Sequence, residues 1–261
     1  MKVIFSIYLL SLASLFQVSC TSVERKPTKD TTQEITHVFL LIGQSNMAGR
    51  AKLKAGDDKQ LKNCVLWNGN NWEPAKAPFN RYSTHLKPSF TQGMNSGPEF
   101  VKAYQKANPG VKVGIINWAR GGSSIEEWHP DHKLDLYHAA VKNTKAALSI
   151  NGELKGILWH QGESNSKRSH LYPKQLKEHI QRLREVFNQP KLPVVYGQIG
   201  LWNKDYVSFN KMITQQPANI PYTRCIKTND LTNFDPYHFD HPSQLIMGKR
   251  YAAEMLQLLK N

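Results

Sequence analysis

Three cysteines in 261 residues are too few to staple a small disulfide scaffold, so a chain of this length must hold itself together through a hydrophobic core. Cys64 and Cys225 stand far apart, and although an oxidising compartment would let them pair, spacing alone does not bring them together. After the first nineteen residues no run is long and apolar enough to cross a bilayer. Internal repeats and low-complexity blocks are absent, which excludes a solenoid. Acidic residues are scarce, 20 against 34 lysines and arginines, for a net charge of +14. That excess invites a nucleic-acid partner, but the lysines are scattered and no recognition motif accompanies them. A soluble basic surface fits best, with anionic glycans or surfaces as the partners it would favour. No Gly-x-Ser-x-Gly turn occurs either.

What is present begins with an export signal. Lys2 precedes an apolar run from Val3 to Phe16, followed by Val18-Ser19-Cys20. Residues 1–19 read as a signal peptide, too short for a membrane span. The small residues before Cys20 resemble a bacterial lipoprotein processing site, although Gln17 stands where such sites prefer an aliphatic residue. Acylation of Cys20 would tether the protein to a membrane of the cell envelope; without it the chain is periplasmic or secreted. Residues 20–34 are polar and aperiodic, a flexible tether, and residues 35–261 form one domain.

Within that domain strand and helix alternate. His37-Val38-Phe39-Leu40-Leu41-Ile42 reads as a buried strand that ends in Gly43-Gln44-Ser45-Asn46-Met47-Ala48-Gly49. Further strands are expected over 111–117, 155–159, 193–197 and 222–226, with a short hairpin at 64–72. Helices are expected from Gly97 to about Ala107, over 135–149, through the Leu176, Ile180, Leu183, Phe187 stripe, over 205–216, and from Pro242 onward. This alternation predicts an α/β fold, a five-stranded, mainly parallel sheet covered by helices on both faces. In such folds ligands bind beyond the carboxyl ends of the strands, where the polar loops of this chain all gather.

Those loops hold the parts of a hydrolytic serine site. Ser45 is the candidate nucleophile. Asp235-Pro236-Tyr237-His238 supplies a carboxylate and an imidazole three residues apart in one stiffened loop, as orienting group and base. The backbone N–H groups of Ser45 and Gly122 and the side-chain amide of Gln161 are candidate oxyanion donors. Glu163 is an alternative orienting acid or a loop-holding group, and His241 competes with His238. Gln44, Asn46, Arg120, Trp128 and Trp202 are candidate substrate contacts, the tryptophans by stacking. His129, Asp131 and His132 are better read as a solvated loop than as a metal site.

Four blocks carry a resemblance: Gly43-Gln44-Ser45-Asn46-Met47-Ala48-Gly49; Ala119-Arg120-Gly121-Gly122-Ser123-Ser124-Ile125; Trp159-His160-Gln161-Gly162-Glu163-Ser164; and Asp235-Pro236-Tyr237-His238 with Pro242-Ser243-Gln244 and Gly248 downstream. In this order they resemble the SGNH-hydrolase superfamily, within it the sialate O-acetylesterase-like proteins and carbohydrate esterase family six. The resemblance implies a three-layer, flavodoxin-like fold and removal of acetyl groups from sugars without cofactor or metal. It implies Ser45, His238 and Asp235 as the catalytic set, with Gly122 and Gln161 as oxyanion donors. Gln161 stands where the broader superfamily has asparagine. Acetylated xylan is the first substrate expected and an O-acetylated sialic acid the second. The protein is expected to be a monomer with no nucleic-acid partner. A glycan-binding protein on a degenerate hydrolase fold is the rival class, against which the intact Ser45, Asp235 and His238 count.

Overall fold

The computed structural model describes residues 37–86 and 92–260; the expected signal peptide, Cys20 and the tether lie outside them. The first strand, β1 (His37–Gly43), is apolar without interruption because it is buried on both faces. Val38, Leu40 and Ile42 enter one core, while Phe39 and Leu41 enter the other. A four-residue helix, α1 (Ser45–Ala48), follows at once. Next come β2 (Cys64–Trp67), β3 (Trp72–Pro74), α2 (Gly97–Ala107), β4 (Val113–Asn117), α3 (Leu136–Ile150), β5 (Leu154–His160), α4 (Tyr172–Val186), β6 (Val194–Gly197), α5 (Lys204–Thr214), β7 (Thr223–Ile226) and α6 (His241–Leu259).

The sheet runs β3-β2-β4-β1-β5-β6-β7, all parallel except the β2–β3 pair. It has seven strands rather than five, because both strands of the 64–72 hairpin belong to it: β2 joins the sheet beside β4, pairing Cys64 with Val113 and Leu66 with Ile115. Helices α3, α4 and α5 cover one face through Ala140, Leu176, Ile180, Phe209 and Ile213. Helices α2 and α6 cover the other through Phe100, Tyr104, Tyr251 and Met255. Each such aliphatic or aromatic side chain contributes about 1.5–3 kcal/mol when removed from water. Helix α6 starts sharply because the Asp240 carboxylate accepts the Ser243 N–H and Pro242 occupies the first turn. Among the described residues, no helix is long and apolar enough to cross a membrane. Cys64 and Cys225 are free thiols, on strands separated by four others in the sheet.

Two register pairs place the site. Leu41 of β1 lies beside Asn117 and Gly43 beside His160, so the loops after β1, β4 and β5 leave the sheet together at one edge. Gly43 has φ +132°, and a Cβ there would lie 2.1 Å from the His160 carbonyl oxygen. Only glycine lets the chain turn this tightly into α1.

Candidate active site

Ser45 is the first residue of α1, held over the end of β1 by the Gln44 N–H donating to the His160 carbonyl at 2.8 Å. It is 6% exposed and lines a cavity of about 310 Å³ together with Gly121, Gly122, Glu163, Tyr237 and His238. The Gly122 N–H has no partner among the described residues, and neither has that of Ser45. Both are positioned as unspent donors beside the serine.

The 235–238 loop is folded by its own aspartate. Asp235 Oδ1 accepts the N–H groups of Tyr237 and His238, each at 2.8 Å. Its Oδ2 lies 2.7 Å from His238 Nδ1. Burial pushes the Asp235 carboxyl upward, but the bonds from the imidazole and the two backbone donors outweigh it and hold the group below the usual carboxylate range. With Nδ1 taken, Nε2 is the nitrogen left to act in the cavity that His238 shares with Ser45. No hydrogen bond joins Ser45 to His238 among the described residues, an arrangement common before substrate closes a site. Trp202 braces the loop from outside, donating from Nε1 to the Pro236 carbonyl at 2.7 Å and meeting Phe239 edge-on.

Several expected residues stand elsewhere. Gln161 is fully buried beneath the cavity rather than on its wall. Its amide nitrogen faces Asn165 Oδ1 at 2.7 Å, Gln44 Oε1 at 3.1 Å and the Ser123 carbonyl at 3.2 Å. Its two hydrogens are spent, so it is not placed as an oxyanion donor. Asn46 is a clasp rather than a substrate contact: it donates to Glu163 Oε1 at 2.5 Å and the Tyr237 carbonyl at 3.1 Å, and accepts the Phe239 N–H. Trp128 is core, 1% exposed, with Nε1 bonded to Ser123 Oγ. Arg120 reaches the His85 carbonyl at 3.5 Å, and neither it nor Trp202 lines the cavity. Gln44 does line it, yet its Oε1 also gathers donors from Gln161, Gly162 and Ser164.

The competing groups are occupied as well. Glu163 faces Asn46 and lies 3.8 Å from His160 Nε2, not against His238. His241 Nε2 pairs with Asp57 at 2.8 Å. His129 lies on the surface, 3.6 Å from Asp131. Arg50, Ser164, Tyr206 and Tyr237 are cavity residues that sequence reasoning missed. Arg50 follows directly on the Gly49 that closes the first block, and its guanidinium packs so tightly on Gly121 that a Cβ there would come within 2.3 Å of Nη2. Tyr206 comes from α5, distant in sequence, and no local signal announces it.

Comparison with known proteins adds three findings. The family described as carbohydrate esterase, sialic acid-specific acetylesterase matches residues 35–257. A probable carbohydrate esterase of Arabidopsis thaliana is 29% identical over 202 residues, 70% of this chain and 76% of that protein. Among solved structures, an Arabidopsis thaliana protein superimposes with TM-score 0.77 at 23% identity, covering 86% of this chain and 99% of its own. A carbohydrate acetylesterase from Xanthomonas citri gives 0.66 at 20% identity, over 85% of this chain and 56% of its own.

Proposed function

We propose, from the premise that the chain belongs to the carbohydrate esterase, sialic acid-specific acetylesterase family, that it removes O-acetyl groups from glycans by a Ser-His-Asp mechanism. One observation carries the assignment of roles: Asp235 Oδ2 stands 2.7 Å from His238 Nδ1, while Ser45 and His238 share one cavity. Ser45 Oγ attacks the acetyl carbonyl carbon as His238 Nε2 takes the hydroxyl proton. The oxyanion that forms is received by the N–H groups of Ser45 and Gly122, each such donor being worth about 2.7–4 kcal/mol in a site of this kind. Collapse breaks the ester bond, the sugar oxygen leaves with the proton from His238, and acetyl-Ser45 remains. Water, deprotonated by His238, then releases acetate and restores the serine. Asp235 keeps the imidazole in the required tautomer and stabilises its charged form.

Acetylated xylan is the first substrate in this reading. A second, an O-acetylated sialic acid, is favoured by Arg50, which lines the cavity while its Nη1 donates to the Gly49 carbonyl at 2.9 Å, and whose positive charge suits a carboxylate on the sugar. Acetate release from acetylated xylan, pectin and sialoglycans, by wild type and Ser45→Ala, tests both. Release by wild type alone supports the mechanism, and the preferred glycan identifies the sugar. Equal release by Ser45→Ala would remove the serine from the mechanism, and no release from any glycan would favour the binding protein. In the same proposal the apolar N-terminus exports the enzyme, and acylated Cys20 holds it at the cell envelope.

A further inference from the structure

A second cavity, of about 760 Å³, opens at the same edge of the sheet and takes no part in the chemistry above. It falls in the size range of sites that take small organic ligands and is larger than the catalytic cavity. Tyr82 is the partly exposed aromatic residue of its lining; Trp118, the residue after β4, borders it too but is itself buried. Trp118 is 2% exposed and held in place by its Nε1 donating to Thr84 Oγ1 at 3.3 Å. The frame is rigid elsewhere too. Asn68 Oδ1 accepts the N–H groups of Asn70 and Asn71, and Asn143 is pinned between Trp67 Nε1 and the Ala139 carbonyl.

Around this frame stand four exposed polar side chains, Asn70, Asp135, His138 and Lys142, that are free to turn toward a ligand in the cavity. Asp135 is within electrostatic reach of His85, which also lines the cavity. Asp135 occupies the N-cap position of α3 in a left-handed conformation, φ +53°, yet its carboxylate does not cap the helix. The set mixes a carboxylate acceptor, an ammonium donor, an amide that does both and an imidazole. Such a mixture does not select an ion of either sign; it matches a ring of hydroxyl groups, each both donor and acceptor. A partly exposed aromatic ring beside exposed polar side chains suits the apolar face and hydroxyl rim of a pyranose.

We propose that this cavity is a second carbohydrate site, which binds an unmodified sugar unit of the same glycan whose acetyl group lies at Ser45; the identity of the ligand rests on the carbohydrate reading given above. Trp118 of this cavity and Gly122 of the catalytic one are four residues apart, a span of at most about 14 Å. Arg120, between them, ties the connection to the second cavity through the His85 carbonyl. One chain of sugars reaches both. The site therefore raises affinity for polymers over single sugars and leaves the chemical step alone.

The test uses the full chain with Ser45→Ala, run by affinity electrophoresis through gels holding chemically deacetylated xylan or deacetylated homogalacturonan. Retardation by either polymer is expected, weakened about tenfold in affinity when Asp135→Asn and Asn70→Ala are added. Asn tolerates the backbone of Asp135, and Tyr82→Leu tests the aromatic wall separately. With Ser45 intact, the Asp135→Asn, Asn70→Ala enzyme should hydrolyse p-nitrophenyl acetate at the wild-type rate while its KM for the acetylated polymer rises and kcat stays. No retardation by either polymer, or retardation that both sets of variants leave unchanged, overturns the site. The gel measurement involves no turnover, so a wrong mechanism at Ser45 does not alter its outcome.

Discussion

Replacing Asp235 by asparagine changes one atom that faces His238 and leaves the rest of the loop its bonds. The side-chain oxygen of the new residue still accepts the N–H groups of Tyr237 and His238, which fold the turn. Its NH2 now faces His238 Nδ1, and a donor against that nitrogen forces the imidazole proton onto Nε2, the atom that accepts the serine proton in the proposed mechanism. A buried orienting aspartate of this type is worth about 10⁴ in turnover. Asp235 keeps 33% of its side-chain surface exposed, so water replaces part of its effect, and we expect a loss of about 10²–10³-fold in kcat. The melting temperature should move by no more than about 2 °C, since the backbone bonds survive. Glu163→Gln is the control: its remaining oxygen still accepts from Asn46, and activity should fall by less than about tenfold. Both are measured on p-nitrophenyl acetate beside their melting curves. If Glu163→Gln is folded and the slower enzyme, or Asp235→Asn is within about threefold of wild type, Asp235 is not the group that orients the base.

Three other outcomes follow from the same geometry. Asn46→Ala removes the clasp between α1, Glu163 and the histidine loop and leaves buried groups unpaired, so stability should fall by about 3–5 kcal/mol and the melting temperature by roughly 10 °C; a rise in KM at unchanged stability would mark Asn46 as a substrate contact instead. Burial, reinforced by Arg182, pushes the fully enclosed His179 imidazole down to about 3 from 6.5, so as pH falls the unfolded chain takes up the proton first. Stability should drop between pH 6.5 and 3 by up to about 1.4 kcal/mol per unit, a slope that denaturant titrations of His179→Leu should lack; an unchanged slope refutes the assignment. The depressed Asp235 carboxyl adds a loss only at lower pH, below its unfolded value near 4, and Asp235→Asn should remove that part of the acid limb in the same titrations.

The parallel sheet was legible because its strands are short apolar runs separated by helical stripes, and both patterns are local. Val38 through Ile42 announce a strand buried on both faces, and Leu176, Ile180 and Leu183 announce a helix with one face down. The hairpin at 64–72 was equally visible, but its place in the sheet was not. A four-residue strand carries no record of its neighbour, and only the pairing of Cys64 with Val113 extends the sheet to seven.

The same division runs through the site. Asp235 and His238 could be read as a pair because three residues of one turn bring them together, and the structure gives their contact at 2.7 Å. Gln161 and Asn46 sit in blocks just as polar, yet the NH2 groups of both amides are consumed inside the protein, where a buried donor without a partner costs about 1–3 kcal/mol. Motif reading cannot tell an amide aimed at a ligand from one aimed at the protein itself; the difference lies in Asn165, four residues on from Gln161, and in Gln44 and Glu163, which reach these amides from distant segments. Trp128 shows the same for aromatic residues, since it follows a strand-end loop and still turns inward onto Trp159. Once these inward groups are set aside, the N–H groups of Ser45 and Gly122 remain beside the serine as backbone donors, with Arg50, Ser164, Tyr206 and Tyr237 as the further side-chain donors of the cavity. The backbone donors depend on how Gly43, α1 and the Gly121-Gly122 turn are held. The buried amides therefore act on the chemistry at one remove, by fixing the loops that carry the donors and the histidine.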